Sequence, residues 1–116
     1  MILLYVMLMG ALGSAARYLV GRTFPHGTII VNVVGCFALG AVVQLGTSGN
    51  WSPEVRAAIA IGFLGGFTTY SSFNQETIAM FANGAVGAAV ANIAITLVGG
   101  LAAGSLGLFA ARALAS

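Results

Sequence analysis

The sequence predicts an all-α integral membrane protein of four transmembrane helices, the third of them broken in mid-membrane. Three observations lead there. The chain has 116 residues, 59% of them hydrophobic and 5% charged, with a mean hydropathy of +1.04. A soluble domain carries about 25% charged residues, so this chain cannot cover a surface that faces water. The charged residues are Arg17, Arg22, Glu54, Arg56, Glu76 and Arg112, and they leave charge-free runs at 1–16, 23–53, 57–75 and 77–111. A helix needs roughly 20 apolar residues to cross the hydrocarbon core, so each run holds about one span. The third observation is the stretch Gly62-Phe63-Leu64-Gly65-Gly66-Phe67-Thr68-Thr69-Tyr70-Ser71-Ser72-Phe73, which mixes glycines, hydroxyls and rings inside an apolar segment. Gly-Gly followed by Thr-Thr lets a helix unwind, and unwound backbone at membrane depth survives only where it lines a cavity or is buried in protein. The stretch therefore points to an ion or substrate site in the middle of the bilayer.

The first helix is expected over about 2–20. It lacks a basic n-region, and Arg17 and Arg22 follow the apolar run where a cleavage site would stand, so it reads as a first span and not as a removable signal. A turn follows at 21–27, where Pro25 cannot continue a helix interior and Gly27 loosens the chain. Helix two is expected over 28–45, and the polar string 46–50 then forms a loop with Trp51 at the interface. Ser52-Pro53-Glu54 has the order N-cap, proline at N1 and acid in the first turn. Helix three is expected over 53–80 with its break near 65–69, Asn83-Gly84 makes a short turn, and helix four covers 85–112. The last is long for one span, so it tilts or protrudes. The chain as a whole, 1–116, reads as one four-helix membrane domain.

With 17 glycines in the chain, the pairs Gly62/Gly66 and Gly100/Gly104, together with Gly10/Ser14, are spaced to bring helix backbones close in lipid. Cys36 is the single cysteine, which excludes an internal disulfide and a cysteine metal cluster, and it reads as a small apolar helix residue. The pI near 9.2 rests on four arginines, too little charge for a nucleic-acid surface. Arg56 and Arg112 fall on one side of the membrane and Arg22 on the other, with Arg17 near the end of helix one. That near balance gives little positive-inside bias and predicts insertion in both orientations with antiparallel pairing.

The pairs Thr28/Asn32, Ser72/Glu76 and Asn92/Thr96 are each four residues apart, so each shares one helix face. Such pairs serve either as hydrogen-bonding glue between helices or as donors that replace part of the water shell of a small anion. Phe67, Tyr70 and Phe73 are either core packing or rings whose electropositive edges contact a dehydrated anion. Carbonyls freed at Gly65 and Thr68 would do the opposite and coordinate a cation. Arg17 is a topology anchor or an anion-attracting vestibule charge, and Glu76 is a solvated interfacial acid or a functional one. His26 reads as a solvated loop residue. No nucleophile set, metal-ligand spacing or phosphate loop is present in the sequence, so an enzyme is not expected.

Along essentially its whole length the sequence resembles the CrcB/Fluc family of fluoride channels. Gly10-Ala11-Leu12-Gly13-Ser14-Ala15-Ala16-Arg17-Tyr18 is similar to the family's G-x-x-G-x-x-x-R-Y opening, and Gly27-Thr28-Ile29-Ile30-Val31-Asn32-Val33-Val34-Gly35-Cys36-Phe37 to G-T-L-x-V-N-x-x-G-x-F. The stretch 62–73 resembles G-F-x-G-G-x-T-T-F-S-T-F. The resemblance implies an antiparallel, dual-topology homodimer in an inner or plasma membrane, with two fluoride pathways. It implies a structural sodium ion, not transported, held at the dimer centre by the backbone carbonyls of Gly65 and Thr68. By position, Tyr70 and Phe73 take the family's ring positions, Asn32 the pore-lining amide, and Ser71, Ser72 and Thr96 the polar track. Arg17, Thr28 and Glu76 match vestibule positions. The chain departs at Tyr70, where the family usually has Phe, and at Ser72, which replaces a common Thr and keeps the hydroxyl. The rival expectation is a proton-coupled small multidrug exporter of similar size and dual topology, although helix one here has no acid before Arg17. A further rival is a non-transporting membrane assembly protein.

Overall fold

The computed structural model describes residues 1–115, and every regular element among them is helical. Helix α1 spans Ile2–Thr23 and α2 spans Gly27–Ser48. The third crossing is assembled from α3 (Pro53–Arg56), a π-helical segment (Ala57–Phe63), α4 (Leu64–Phe67) and α5 (Tyr70–Ala82). Helix α6 spans Val86–Ala115. Three helices, α1, α2 and α6, are long and apolar enough to cross a membrane singly. The third crossing is interrupted, so none of its pieces reaches that length alone. At about 1.5 Å rise per residue, the 22 residues of α1 and of α2 match a hydrocarbon core of about 30 Å. The 30 residues of α6 exceed it.

The first two helices outlast their expected ends for local reasons. α1 continues to Thr23, whose hydroxyl bonds back to Leu19 O at 2.7 Å. α2 continues to Ser48, with Thr47 bonding to Val43 O and Ser48 to Gln44 O, both at 3.0 Å. Back-bonded hydroxyls can stay inside a helix that composition alone would end. The turn between α1 and α2 places His26 at φ 58°, in the left-handed region, as the residue before α2. Gly27 does not loosen the chain: it is buried as the first residue of α2, and a Cβ there would lie 2.7 Å from Gly21 Cα. Ser52 accepts a hydrogen bond from Val55 N at 3.2 Å, with Pro53 at the start of α3 and Glu54 in its first turn.

The helices pack in two ways. α1 lies along the π segment and α4, and α2 lies along α6. Both contacts run backbone to backbone. A Cβ on Gly13 of α1 would lie 2.1 Å from Phe63 O, and one on Gly40 of α2 would lie 2.1 Å from Gly104 O. Gly62 and Gly66 both face α1, the latter against Gly10 O and Ser14. Close backbone approach is how helices associate in lipid, where burial of apolar surface offers no driving force. The buried core is accordingly small: Val31, Leu64, Phe73, Ala89, Ala103 and Ala111. Large apolar side chains such as Leu12, Leu19, Ile61, Val98, Leu101 and Leu106 point outward.

The break lies at Thr68 and Thr69, whose backbones are extended (φ −88°, ψ 157° and φ −152°, ψ 113°). This lies within the expected break at 65–69; the glycine pair at its start stays helical in α4. Two threonine hydroxyls decide this. Thr68 Oγ1 bonds back to Leu64 O at 3.0 Å and closes α4, while Thr69 Oγ1 accepts from Ser72 N at 3.2 Å and caps α5. A hydroxyl at an N-cap satisfies one of the N–H groups that a helix start leaves open. The π segment has no signature in the sequence, because all of Ala57–Phe63 is small or apolar and shows no change of period. Leu64 N bonds to Ile59 O, the i to i−5 pattern of a π-helix, a feature often found beside functional sites.

Candidate ion site

The break brings the polar residues of four helices together. Asn32 of α2 binds the backbone of Thr69 twice: Thr69 N donates to Oδ1 at 2.7 Å, and Nδ2 donates to Thr69 O at 3.0 Å. Arg17 of α1 donates from Nε to Gly66 O at 3.0 Å, placing a cation at the carbonyl end of α4, where the helix dipole favours positive charge. In a continuous α-helix each carbonyl accepts from the N–H four residues on. The Thr69 N–H that would serve Gly65 O goes to Asn32, and the Ser72 N–H that would serve Thr68 O goes to Thr69 Oγ1. Four carbonyls lose their helical donors at the break: those of Gly65 and Thr68 in this way, and those of Gly66 and Phe67 because Tyr70 N and Ser71 N lie in the first turn of α5. Unsatisfied carbonyls at membrane depth are costly, and their chemistry suits a hard cation. Among the described residues no group of three or more His, Cys, Asp or Glu could hold a metal ion.

Next to this lies a groove of about 360 Å³ that gathers Asn32, Thr69, Tyr70, Phe73 and Thr96, with Cys36 on its wall. The rings of Tyr70 and Phe73 have centroids 5.8 Å apart and planes tilted by 52°. Phe73 is 8% exposed and Tyr70 71% exposed, so one ring is built into the chain and the other stands at its open edge. Thr96 Oγ1 is buried without a hydrogen-bond partner. An orphaned buried hydroxyl calls for an explanation, and this one borders the groove.

A second cavity, of about 310 Å³, is lined by Arg17, Arg22, Thr28, Thr69 and Ser72 among others. Thr28 Oγ1 donates to Glu76 Oε2 at its edge, and the Arg22 guanidinium sits 5.9 Å from the Tyr18 ring centroid. Ser72 and Ser71 both reach Thr69 Oγ1, at 3.2 and 3.3 Å. Thr69 thus borders both cavities.

Comparison with known proteins identifies the architecture. A family profile described as CrcB-like protein, Camphor Resistance (CrcB), matches residues 4–108. The chain belongs to the CrcB family. It is 47% identical over 114 residues to a protein of Sorangium cellulosum named Fluoride-specific ion channel FluC, covering 90% of each chain. Proteins with the same name from Citrifermentans bemidjiense (39% identical, covering 97% of this chain and 98% of the relative) and Anaeromyxobacter dehalogenans (46%, 87% of each) are also similar. These relatives carry the name of a channel and not of an enzyme.

Placed on this CrcB-family chain, the residues singled out in the sequence fall into three groups. Asn32, Tyr70, Phe73 and Thr96 meet in the groove. Arg17, Thr28 and Ser72 meet in the second cavity, with Glu76 joined through Thr28. Gly65 lies in α4 ahead of the bend, and Thr68 lies in the bend, where it also lines the groove. Ser71 is exposed beside Thr69. The pair Asn92/Thr96 does not act as a unit: Asn92 is buried and donates to Thr77 Oγ1 at 2.9 Å, joining α6 to α5 as glue. Sequence reasoning missed Thr69, Thr77 and Arg22 as members of these networks. Thr69 was findable, since a threonine just before a helical run is an N-cap candidate. Thr77 was not, because its role depends on where α6 packs.

Proposed function

We propose that this protein is a fluoride-selective channel that lets the ion leave the cell passively, working as an antiparallel homodimer with a sodium ion at its centre. The carrying observation is the groove, where an amide, an orphaned hydroxyl and a ring pair converge in a chain similar to proteins named fluoride-specific ion channels. A small anion sheds water only where donors replace it in a narrow passage. Asn32 and Thr96 supply N–H and O–H, and the edges of Phe73 and Tyr70 supply positive quadrupole. Arg17 and Arg22 draw anions into the cavity that precedes the break. The open side of the groove at Tyr70 and the thin core of a single chain support completion by a second copy. A near-balanced arginine distribution supports that copy being inverted.

The diverted donors at Gly65 and Thr68 support the sodium assignment. When bound, sodium supplies the positive charge that satisfies carbonyl oxygens left without helical donors. Arg17 covers Gly66 O, leaving its neighbour Gly65 O for the ion. No observation favours a multidrug exporter, since α1 carries no acid. The decisive measurement is fluoride efflux from proteoliposomes against chloride efflux, with and without sodium. Fluoride efflux far above chloride is expected; equal rates would sink the selectivity claim, and no efflux of either ion would favour an assembly role.

A further inference from the structure

The double bond between Asn32 and Thr69 does more than line a pathway. One side-chain amide holds both backbone groups of a residue 37 positions away, as a neighbouring strand would. In an uninterrupted helix the Thr69 N–H would close onto Gly65 O. Asn32 Oδ1 is the atom that holds it away. A primary amide also has two N–H groups. One is spent on Thr69 O, and the other remains on a side chain that borders the groove.

We infer that Asn32 is a positioning residue that couples the two ion sites: its Oδ1 keeps the Gly65 carbonyl open toward a cation, while its second Nδ2 hydrogen faces the anion pathway. The inference rests on the channel reading above, and it makes a claim that a pore-lining donor alone would not. Removing Asn32 should alter the cation site and the backbone of the break, not only anion flux. Asn32→Ala releases the Thr69 N–H to solvent, and without that anchor the break no longer holds the Gly65 carbonyl toward the cation.

The test uses the full-length purified protein in detergent, with two readouts apart from flux. One is amide exchange across residues 64–73. The other is the rise in melting temperature on replacing N-methylglucamine with sodium. In Asn32→Ala, exchange at Thr69 should accelerate roughly tenfold, the scale set by losing one part-buried hydrogen bond, and the sodium-dependent rise should disappear. A purely structural role would lower the melting temperature equally in both salts and leave the sodium increment intact, which would overturn the inference. So would a Thr69 amide as protected in Asn32→Ala as in the unaltered protein.

Should Asn32→Ala fail to fold, Asn32→Asp decides. It keeps the oxygen that accepts from Thr69 and removes the N–H donors. Native protection at Thr69 with fluoride efflux lost is the expected result, and loss of that protection is the opposing one. On the unaltered protein, Thr69 should exchange more slowly than Tyr70 and Ser71, which lie in the first turn of α5 where N–H groups have no intrahelical acceptor; equal rates would contradict the clamp. Failure of the channel reading would look different: no fluoride efflux from the unaltered protein, with the sodium increment and its dependence on Asn32 unchanged.

Discussion

The α2–α6 pair and the broken third crossing solve the same problem by opposite means. α2 and α6 meet through glycines, Gly40 against Gly104 O and Gly107 against Phe37 O, where an added Cβ would sit 2.1 and 2.0 Å from the facing oxygen. All backbone groups there stay inside their own helices. One polar contact, Arg112 Nε to Gln44 Oε1 at 3.4 Å, closes the end of the pair. The break instead spends side chains on backbone: Arg17 on Gly66 O, Asn32 on both groups of Thr69, Thr68 on Leu64 O, Thr69 on Ser72 N. The first region is a scaffold whose stability is set by shape. The second is held open by directed bonds, of which those to Gly66 O, Thr69 N and Ser72 N occupy groups that a continuous helix would pair. At the break, the polar side chains of Arg17, Asn32 and Thr69 act on the site through the backbone groups they hold.

The largest expected effect comes from the scaffold. In Gly40→Ala the new methyl would meet Gly104 O inside contact distance, and neither partner is a flexible side-chain end. The helices must move apart, at a cost on the order of 3 kcal/mol, reduced by about 1 kcal/mol because alanine favours the helix more than glycine does. Thermal unfolding in detergent should show the loss, with a smaller folded fraction on size exclusion. An unchanged melting temperature would mean that α2 and α6 are not held in this register. An intermediate effect is expected at Gly35, where the scaffold touches the break. A Cβ there would lie 2.3 Å from Thr68 Cγ2, a methyl whose hydroxyl neighbour is tied to Leu64 O. Gly35→Ala should cost about 1–2 kcal/mol and slow fluoride efflux. Adding Thr68→Ser removes the methyl and keeps the hydroxyl, so it should restore most of both. If the double variant is as impaired as the single one, the clash lies elsewhere and the break does not lean on α2 at this point.

What the sequence makes legible follows the same division. The spans are visible because six charges punctuate an otherwise apolar chain, and the N-terminus of α3 is visible because Ser52-Pro53-Glu54 is a purely local signal. The small-residue spacing at Gly62/Gly66 foretells contact with α1. The break is visible as a region but not as a position. The expected break at 65–69 contains the bend, which the threonine hydroxyls set at Thr68 and Thr69 while Gly66 packs against α1. The π segment is silent, since uniform small apolar residues give no phase against which an extra residue per turn could register. Site chemistry is legible by residue type, yet pairing is not: Thr28 with Glu76 and Asn92 with Thr77 depend on how helices far apart in sequence are set against one another.

The smallest effect should come from Asn92, whose polar bond goes to a side chain and not to backbone. Asn92 is 5% exposed and lies on α6, four residues from the groove-lining Thr96, so by sequence spacing it looks as much a site residue as Asn32 does. Its partner is a hydroxyl, Thr77 Oγ1, which itself donates to Phe73 O at 2.7 Å. In Asn92→Val that second bond survives, and no buried donor is stranded on Thr77. Side-chain hydrogen bonds between membrane helices average about 0.6 kcal/mol, so the melting temperature should fall slightly, with fluoride efflux and its sodium dependence at native values. A large loss of efflux would place Asn92 in the pathway and erase the contrast with Asn32.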